Sequence, residues 1–329
     1  MGRDVGLGHL VRCLALGAAL QAQGARAHFV VDADSAADRL VRAYDFEGVG
    51  VARGDERDLR ETAGHAKAWA ARALVVDSYA ISAECLAGLR VPVVVVIDDL
   101  ADRYLPVALV VNGAVDAHEL HYRTLPRTER LLGLGYVLLR EEFAEDPKRD
   151  IRERVRRVLV TLGGADSLAL TPQLIGWVRD ALGDVVVDVV VGPFWTGEVQ
   201  RAAEQAGIGG GVTLHRDPRK MRELMLACDI ALAGGGQTLY ELSATGTPTL
   251  AVRLSENQTG NLAGLSRQGA IEWVCDAADP RLARMLVGAL QAVTTDRARR
   301  EAMSRCGRRL VDGLGAHRVA RVILEACET

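Results

Sequence analysis

A histidine set among glycines opens this chain: Gly6-Leu7-Gly8-His9-Leu10-Val11-Arg12-Cys13. Imidazole is the side chain best suited to exchanging protons near neutral pH. Glycines let a backbone turn sharply and come close to a ligand, which makes Gly8 a candidate for nucleotide contact. Leu10, Cys13, Leu14, Gly17 and Leu20 follow at helical spacing, so His9 stands at the mouth of an amphipathic helix. A helix start offers unpaired N–H groups and the positive end of the dipole. The alternative role for His9 is a helix cap.

Two glycine turns in the second half could hold phosphate. Leu162-Gly163-Gly164-Ala165-Asp166-Ser167 lies between a strand pattern and a helix pattern. Its backbone N–H groups, with Asp166 and Ser167, can face an anion or form a capped tight turn. Ala233-Gly234-Gly235-Gly236-Gln237-Thr238 also ends a strand, and Glu241 follows about one helical turn later. Gly235, Gly236, Gln237 and Thr238 suit a diphosphate, and a carboxylate at Glu241 can accept both hydroxyls of a ribose. Beyond the next strand, the amides of Asn257 and Gln258 could reach phosphate or sugar hydroxyls. Neither glycine turn reads G-x-G-x-x-G and no lysine follows them, which argues against a dinucleotide site or a P-loop.

Acids end two strand patterns of the first half, at Val76-Asp77-Ser78-Tyr79 and Ile97-Asp98-Asp99-Leu100. Adjacent acids on a strand point opposite ways, so Asp98 and Asp99 make a poor metal pair; Asp77 and Asp99 are expected to cap helices. His118, His121 and His215 lack ligand spacing, and the six cysteines form no CxxC pair, so no metal is expected. There is no Gly-x-Ser-x-Gly elbow.

These residues must be positioned by alternating strands and helices. Short apolar runs at Ala27–Val31, Ala73–Val76, Val93–Ile97, Ala108–Val111, Val185–Val191, Val212–Leu214, Ile230–Ala233 and Thr249–Val252 read as buried parallel strands. Helical patterns fill the gaps, around Ser35–Tyr44, Arg57–Arg72 and Ser82–Leu89. The expected fold is α/β: two Rossmann-like domains facing across a cleft, with residues 1–143 carrying the histidine loop, a charged linker at 144–156, and residues 157–329 binding nucleotide and ending in helices. A Rossmann-like half begins with a strand. Met1–Val5 is too short and polar for one, so the N-terminal domain reads as lacking its first strand.

Composition narrows the partners. With 40 Lys+Arg against 43 Asp+Glu, the net charge of −3 argues against a general nucleic-acid binder. No apolar run approaches the roughly 20 residues of a membrane span, and no secretory signal is visible. A cytoplasmic protein with reduced thiols, no organic cofactor and no integral membrane contact is expected; nothing readable points to a protein partner.

Taken in order, Gly6-Leu7-Gly8-His9 with Arg12-Cys13, Asp77-Ser78-Tyr79, Ile97-Asp98-Asp99-Leu100, Gly133-Leu134-Gly135-Tyr136 with Leu138-Leu139-Arg140-Glu141-Glu142-Phe143, Gly163-Gly164-Ala165-Asp166, and Glu241-Leu242 with Asn257-Gln258 form a set. It resembles the UDP-2,4-diacetamido-2,4,6-trideoxy-β-L-altropyranose hydrolases of pseudaminic acid synthesis, over nearly the whole chain. The resemblance implies the glycosyltransferase-B architecture, close to the transferase that adds N-acetylglucosamine to lipid-linked peptidoglycan precursors. It implies metal-independent hydrolysis of a UDP-sugar at the anomeric carbon with inversion. Residue by residue, the catalytic histidine matches His9 and the active-site tyrosine Tyr79. The UDP-binding positions match Gly163–Ser167, Gly234–Thr238, Glu241 and Gln258. A UDP-sugar glycosyltransferase and an inactive nucleotide-sugar binder are the alternatives.

Overall fold

The structure is a computed structural model that describes the chain apart from residues 1–6, 33–34, 52–55, 209, 217, 219 and 329. The chain forms two compact units, one of Met1–Glu141 with Gly313–Thr329, the other of Glu142–Asp312.

The first unit runs α1 (Leu7–Ala22), β1 (His28–Asp32), α2 (Ser35–Ala43), β2 (Glu47–Val51), α3 (Glu56–Ala68), β3 (Ala73–Val76), α4 (Ala83–Gly88), β4 (Val93–Ile97), β5 (Tyr104–Leu105), β6 (Leu109–Asn112), β7 (Arg123–Thr124) and β8 (Glu129–Leu132). Strands β3-β4-β6-β8 form a parallel sheet, so Asp77, Asp98–Asp99 and Asn112 all fall at its carboxyl ends. The β4 sequence Val-Val-Val-Val-Ile has no polar face and is buried throughout, which requires cover on both sides. Leu16 and Ala19 of α1 pack against Val93, Val95 and Ile97 on one side; Val94 and Val96 meet Leu86 of α4 on the other. Strands β1 and β2 form a separate parallel pair. The expectation of a missing first strand falls on residues before Leu7, outside the described ones; among the described residues no strand precedes α1.

The second unit runs β9 (Arg157–Thr161), α5 (Thr171–Leu182), β10 (Val186–Val191), α6 (Gly197–Ala206), β11 (Val212–Arg216), α7 (Met221–Ala227), β12 (Ile230–Gly234), α8 (Thr238–Ala244), β13 (Thr249–Arg253), α9 (Thr259–Arg267), β14 (Glu272–Asp276), α10 (Leu282–Thr295) and α11 (Arg297–Leu310). Its six strands are parallel in the order β11-β10-β9-β12-β13-β14. The chain winds outward from β9 in one direction and from β12 in the other. The topological switch point therefore lies between β9 and β12, where ligands of open α/β sheets bind.

Two expectations about domain organisation are corrected. The final helix, α12 (Gly315–Glu328), belongs to the first unit: Ala316, Val319, Ala320 and Ile323 join the cluster of Leu16, Ala19, Val95 and Leu109. Its amphipathic stripe completes the cover that α1 alone does not give the sheet. The stretch expected as a free linker is anchored on the second unit. Ile151 and Val155 are buried, and Arg149 donates to the carbonyls of Met225 and Cys228. The buried Arg300 of α11 donates to the carbonyls of Val293, Thr294, Arg152 and Glu153 at 2.6–2.9 Å. Arg300→Met is expected to cost about 3 kcal/mol, because four charge-assisted bonds of a buried guanidinium are lost, one to the buried carbonyl of Val293 and three to part-buried ones. Urea unfolding measures this; an unchanged midpoint would dismiss the staple.

Candidate active site

In the first unit, three chain segments converge on one guanidinium. His9 lies in the first turn of α1, and Arg12, three residues on, shares its face. Asp77 follows β3 and Asp99 follows β4, neighbours in the sheet with Val76 opposite Val96. Arg12 donates through Nε and Nη2 to Asp77 Oδ2 and Oδ1, each at 2.7 Å, and through Nη1 to Asp99 Oδ2 at 2.7 Å. His9 Nδ1 is 2.6 Å from Asp77 Oδ1. Tyr79 Oη donates to Asp99 Oδ2 at 3.0 Å, and its ring meets the His9 ring edge-on with centroids 4.9 Å apart.

The electrostatics follow from that geometry. Burial pushes the Asp77 carboxyl up, but the hydrogen bonds and charge of Arg12, with His9, outweigh it and hold it at about 2. Burial opposes the Arg12 charge, yet Asp77 and Asp99 raise its proton affinity above the ordinary value. Burial, then Asp99, pushes the Tyr79 hydroxyl up, so it stays a phenol. Burial and Asp77 likewise keep Cys13 a thiol. His9 Nδ1 meets two groups, the ionised Asp77 Oδ1 at 2.6 Å and the donor Arg12 Nη2 at 3.1 Å. The shorter contact, to the carboxylate, favours the proton on Nδ1 and leaves the Nε2 lone pair to act as a base.

The structure places the His9 and Tyr79 rings in contact. It corrects the helix-capping assignment of Asp77 and Asp99: α4 is capped by Ser82, whose hydroxyl accepts from Cys85 N, while both acids are bound to Arg12. The signal available in the sequence was the i, i+3 spacing of His9 and Arg12 together with an acid after each of two adjacent strands. Asp98 and Asp99 lie just beyond β4 and take different partners. The fully buried Asp98 accepts from Leu100 N and Ala101 N, which supports the positive φ of Ala101 and presents Asp99 to Arg12. Gly8, expected in a loop, is inside α1. Among the described residues no group of three or more His, Cys, Asp or Glu could hold a metal ion.

The nucleotide candidates gather in the second unit at the switch point. The Gly163–Ser167 turn follows β9 and the Gly235–Thr238 turn follows β12, with Ala233 registered against Thr161. Gly163 has φ +95°, a conformation that favours glycine. Asp166 is buried, and its carboxylate accepts from Leu170 N and Thr171 N at the start of α5, so its role is that of a cap; Ser167 is exposed. Gln258 Oε1 accepts from Gly235 N at 3.0 Å and Leu254 N at 2.9 Å, which ties the loops after β12 and β13 together. Asn261, the third amide of the run 257–261, donates to Gly235 O at 3.2 Å and accepts from Tyr240 Oη. Asn257 accepts from Ser255 on the surface. Glu241 is buried in α8, while Gln237 and Thr238 are half-buried at its start.

Two adjacent glycines differ in the room around them. A Cβ on Gly235 would lie 2.7 Å from Gln258 Cβ and 2.8 Å from Leu262 Cδ1, whereas one on Gly236 meets nothing within 4 Å. Gly235→Ala is expected to destabilise the protein by about 2 kcal/mol through overpacking. Gly236→Ala should melt as wild type; if this turn receives a diphosphate, it should bind UDP at least about tenfold more weakly. Calorimetric titration and thermal melting check both; undiminished UDP binding by Gly236→Ala would remove this turn from the site.

Comparison with known proteins agrees with the architecture. No family profile matches the chain. An uncharacterised protein of Methanocaldococcus jannaschii, MJ1062, is 23% identical over 159 residues, which is 46% of this chain; the chain spans only a third of that protein, 33%. Among solved structures, Acinetobacter baumannii MurG superposes with a TM-score of 0.64 at 16% identity, covering 97% of this chain and 96% of that one. The kitacinnamycin glycosyltransferase gives 0.68 at 16%, covering 98% and 96%. The spinosyn rhamnosyltransferase SpnG, in complex with thymidine diphosphate, gives 0.64 at 16%, covering 98% and 97%. The fold is that of the GT-B glycosyltransferases. Among the described residues no helix is long and apolar enough to cross a membrane.

Proposed function

We propose that this protein hydrolyses a UDP-linked 2,4-diacetamido-2,4,6-trideoxy sugar at its anomeric carbon, releasing UDP and the inverted free sugar, in nonulosonate or related surface-glycan synthesis. The observation that carries the chemistry is the His9–Asp77 contact of 2.6 Å, which leaves Nε2 as a base beside Tyr79. The identity of the sugar rests on the sequence resemblance.

In this mechanism the glycine turns of the second unit hold the diphosphate, with Glu241 on the ribose. His9 Nε2 takes a proton from water as the water oxygen bonds to the anomeric carbon. The bond from that carbon to the UDP oxygen breaks, and the diphosphate leaves with the electron pair. Backbone N–H groups at the turns stabilise the departing charge. Tyr79 spends its proton on Asp99, so toward substrate its oxygen is an acceptor, suited to orienting water or a sugar hydroxyl. Asp77 and Asp99 carry two negative charges against the single positive charge of Arg12. The imidazolium formed at His9 balances the group.

Proton NMR of purified protein with UDP-2,4-diacetamido-2,4,6-trideoxy-β-L-altropyranose, without added metal, tests the proposal. Release of UDP and free sugar without an acceptor supports hydrolysis. The structural neighbours favour a second reading, a GT-B glycosyltransferase in which the same base deprotonates an acceptor hydroxyl. Turnover that appears only with added acceptor would establish it. Binding of UDP, or of thymidine diphosphate as in SpnG, with no turnover under any condition would leave a nucleotide-sugar binder.

A further inference from the structure

One guanidinium stands behind both groups that the proposed reaction uses. Its Nε and Nη2 form a bidentate pair with Asp77, whose Oδ1 lies 2.6 Å from His9 Nδ1; Nη2 itself lies farther from that nitrogen, at 3.1 Å, so the carboxylate is the nearer partner of the ring. Its Nη1 binds Asp99 Oδ2, the same oxygen that accepts from Tyr79. His9 and Tyr79 reside on α1 and the loop after β3, and apart from their ring contact they are joined through this ion chain. Arg12 and Asp77 are both buried, so Asp77 cannot exchange the guanidinium for water without a large loss, while Asp99 is partly exposed.

We propose that Arg12 is a positioning residue: by clamping Asp77 and Asp99 together it locks His9 as the Nδ1–H tautomer and fixes the Tyr79 hydroxyl beside it. This rests on the hydrolase reading for its catalytic consequence, though not for its geometric one. The planar fork is what the arrangement needs. It offers three N–H groups in fixed directions to two carboxylates, whereas a lysine ammonium, a point charge on a flexible stem, can satisfy one carboxylate or the other but cannot hold both planes. Asp77 released from the fork can rotate, and the Nδ1 proton then loses its fixed acceptor. His9 relaxes to a mixture in which Nε2 carries the proton and cannot act as a base.

The decisive experiment is nitrogen-15 NMR of histidine-labelled protein, with the His9 signals assigned by difference against His9→Ala. The wild type should show His9 as the Nδ1–H form with a bare Nε2. Arg12→Lys, which keeps the charge and the fold, should show a mixture of tautomers and a kcat about 100-fold lower with KM changed less than about threefold. Guanidinium ion in solution should restore part of the Arg12→Ala rate, and methylammonium should not. Arg12→Lys with the wild-type tautomer and wild-type kcat would overturn the inference. A wild type that locks the tautomer through Arg12 yet leaves the UDP-sugar intact would uphold it and remove the hydrolase reading instead.

Discussion

His9→Ala is expected to lower hydrolysis of the UDP-sugar by at least about 1,000-fold while the affinity for UDP stays within about twofold of wild type. The split follows from where the groups reside. His9 belongs to the first unit, and every candidate for the diphosphate except Gly8 belongs to the second. Removing the imidazole leaves water without an acceptor for its proton at neutral pH. It does not disturb the Gly235 turn, which Gln258 and Asn261 hold from within the second unit. The fold should also survive: the lost side chain frees one bond on Asp77, which Arg12 continues to hold through two others. Single-turnover kinetics with calorimetric titration of UDP reads both halves. A variant that retains wild-type kcat would eliminate His9 as the base, whatever the substrate.

Asp77→Asn carries the second large effect. An asparagine fits the space, but its amide can present N–H to His9 Nδ1, which moves the ring proton to Nε2 and removes the base. The analogous exchange of tautomer in serine proteases costs about 10,000-fold in kcat, and a loss of about 1,000-fold or more is expected here. The substitution also changes the acid dependence of stability. The folded-state value of Asp77, at about 2, lies below its ordinary value of 3.8, so ionised Asp77 favours the folded state. That contribution, roughly 2 kcal/mol, is complete above about pH 4 and is lost as pH falls toward 2. In urea titrations from pH 7 to pH 2 the gap between wild type and Asp77→Asn should be constant at first and then close below pH 4. A gap that persists at pH 2 would mean that Arg12 does not hold the carboxylate in its charged form.

Much of the scaffold was legible along the chain because parallel strands covered on both faces are continuous apolar runs. Ala73–Val76 and Val93–Ile97 form strands over those same residues, and the other predicted strands shift by a residue or two. The strands at Glu47–Val51, Glu129–Leu132 and Glu272–Asp276 were not, since each begins with a charged residue and lies at the edge of its sheet, where one side needs no apolar cover.

By itself the sequence determined the alternation of strand and helix, the glycine turns at strand ends, and His9 at the mouth of a helix as a candidate for proton exchange. These are local properties: periodicity, turn chemistry and residue type act within a few positions. Only the tertiary structure decided that Asp77 and Asp99, 65 and 87 residues from Arg12, share its guanidinium, and that Asp166 is a cap. The destination of the last helix was likewise decided there, on the first unit and not the second. The arginine cluster and the last helix depend on which strands lie side by side and which apolar face remains uncovered, whereas for Asp166 the structure chose between two local roles that the sequence had left open. A carboxylate after a strand reads the same whether it caps a helix or binds an arginine. Folding selects between the two by placing β3 beside β4 and bringing α1 to their carboxyl ends.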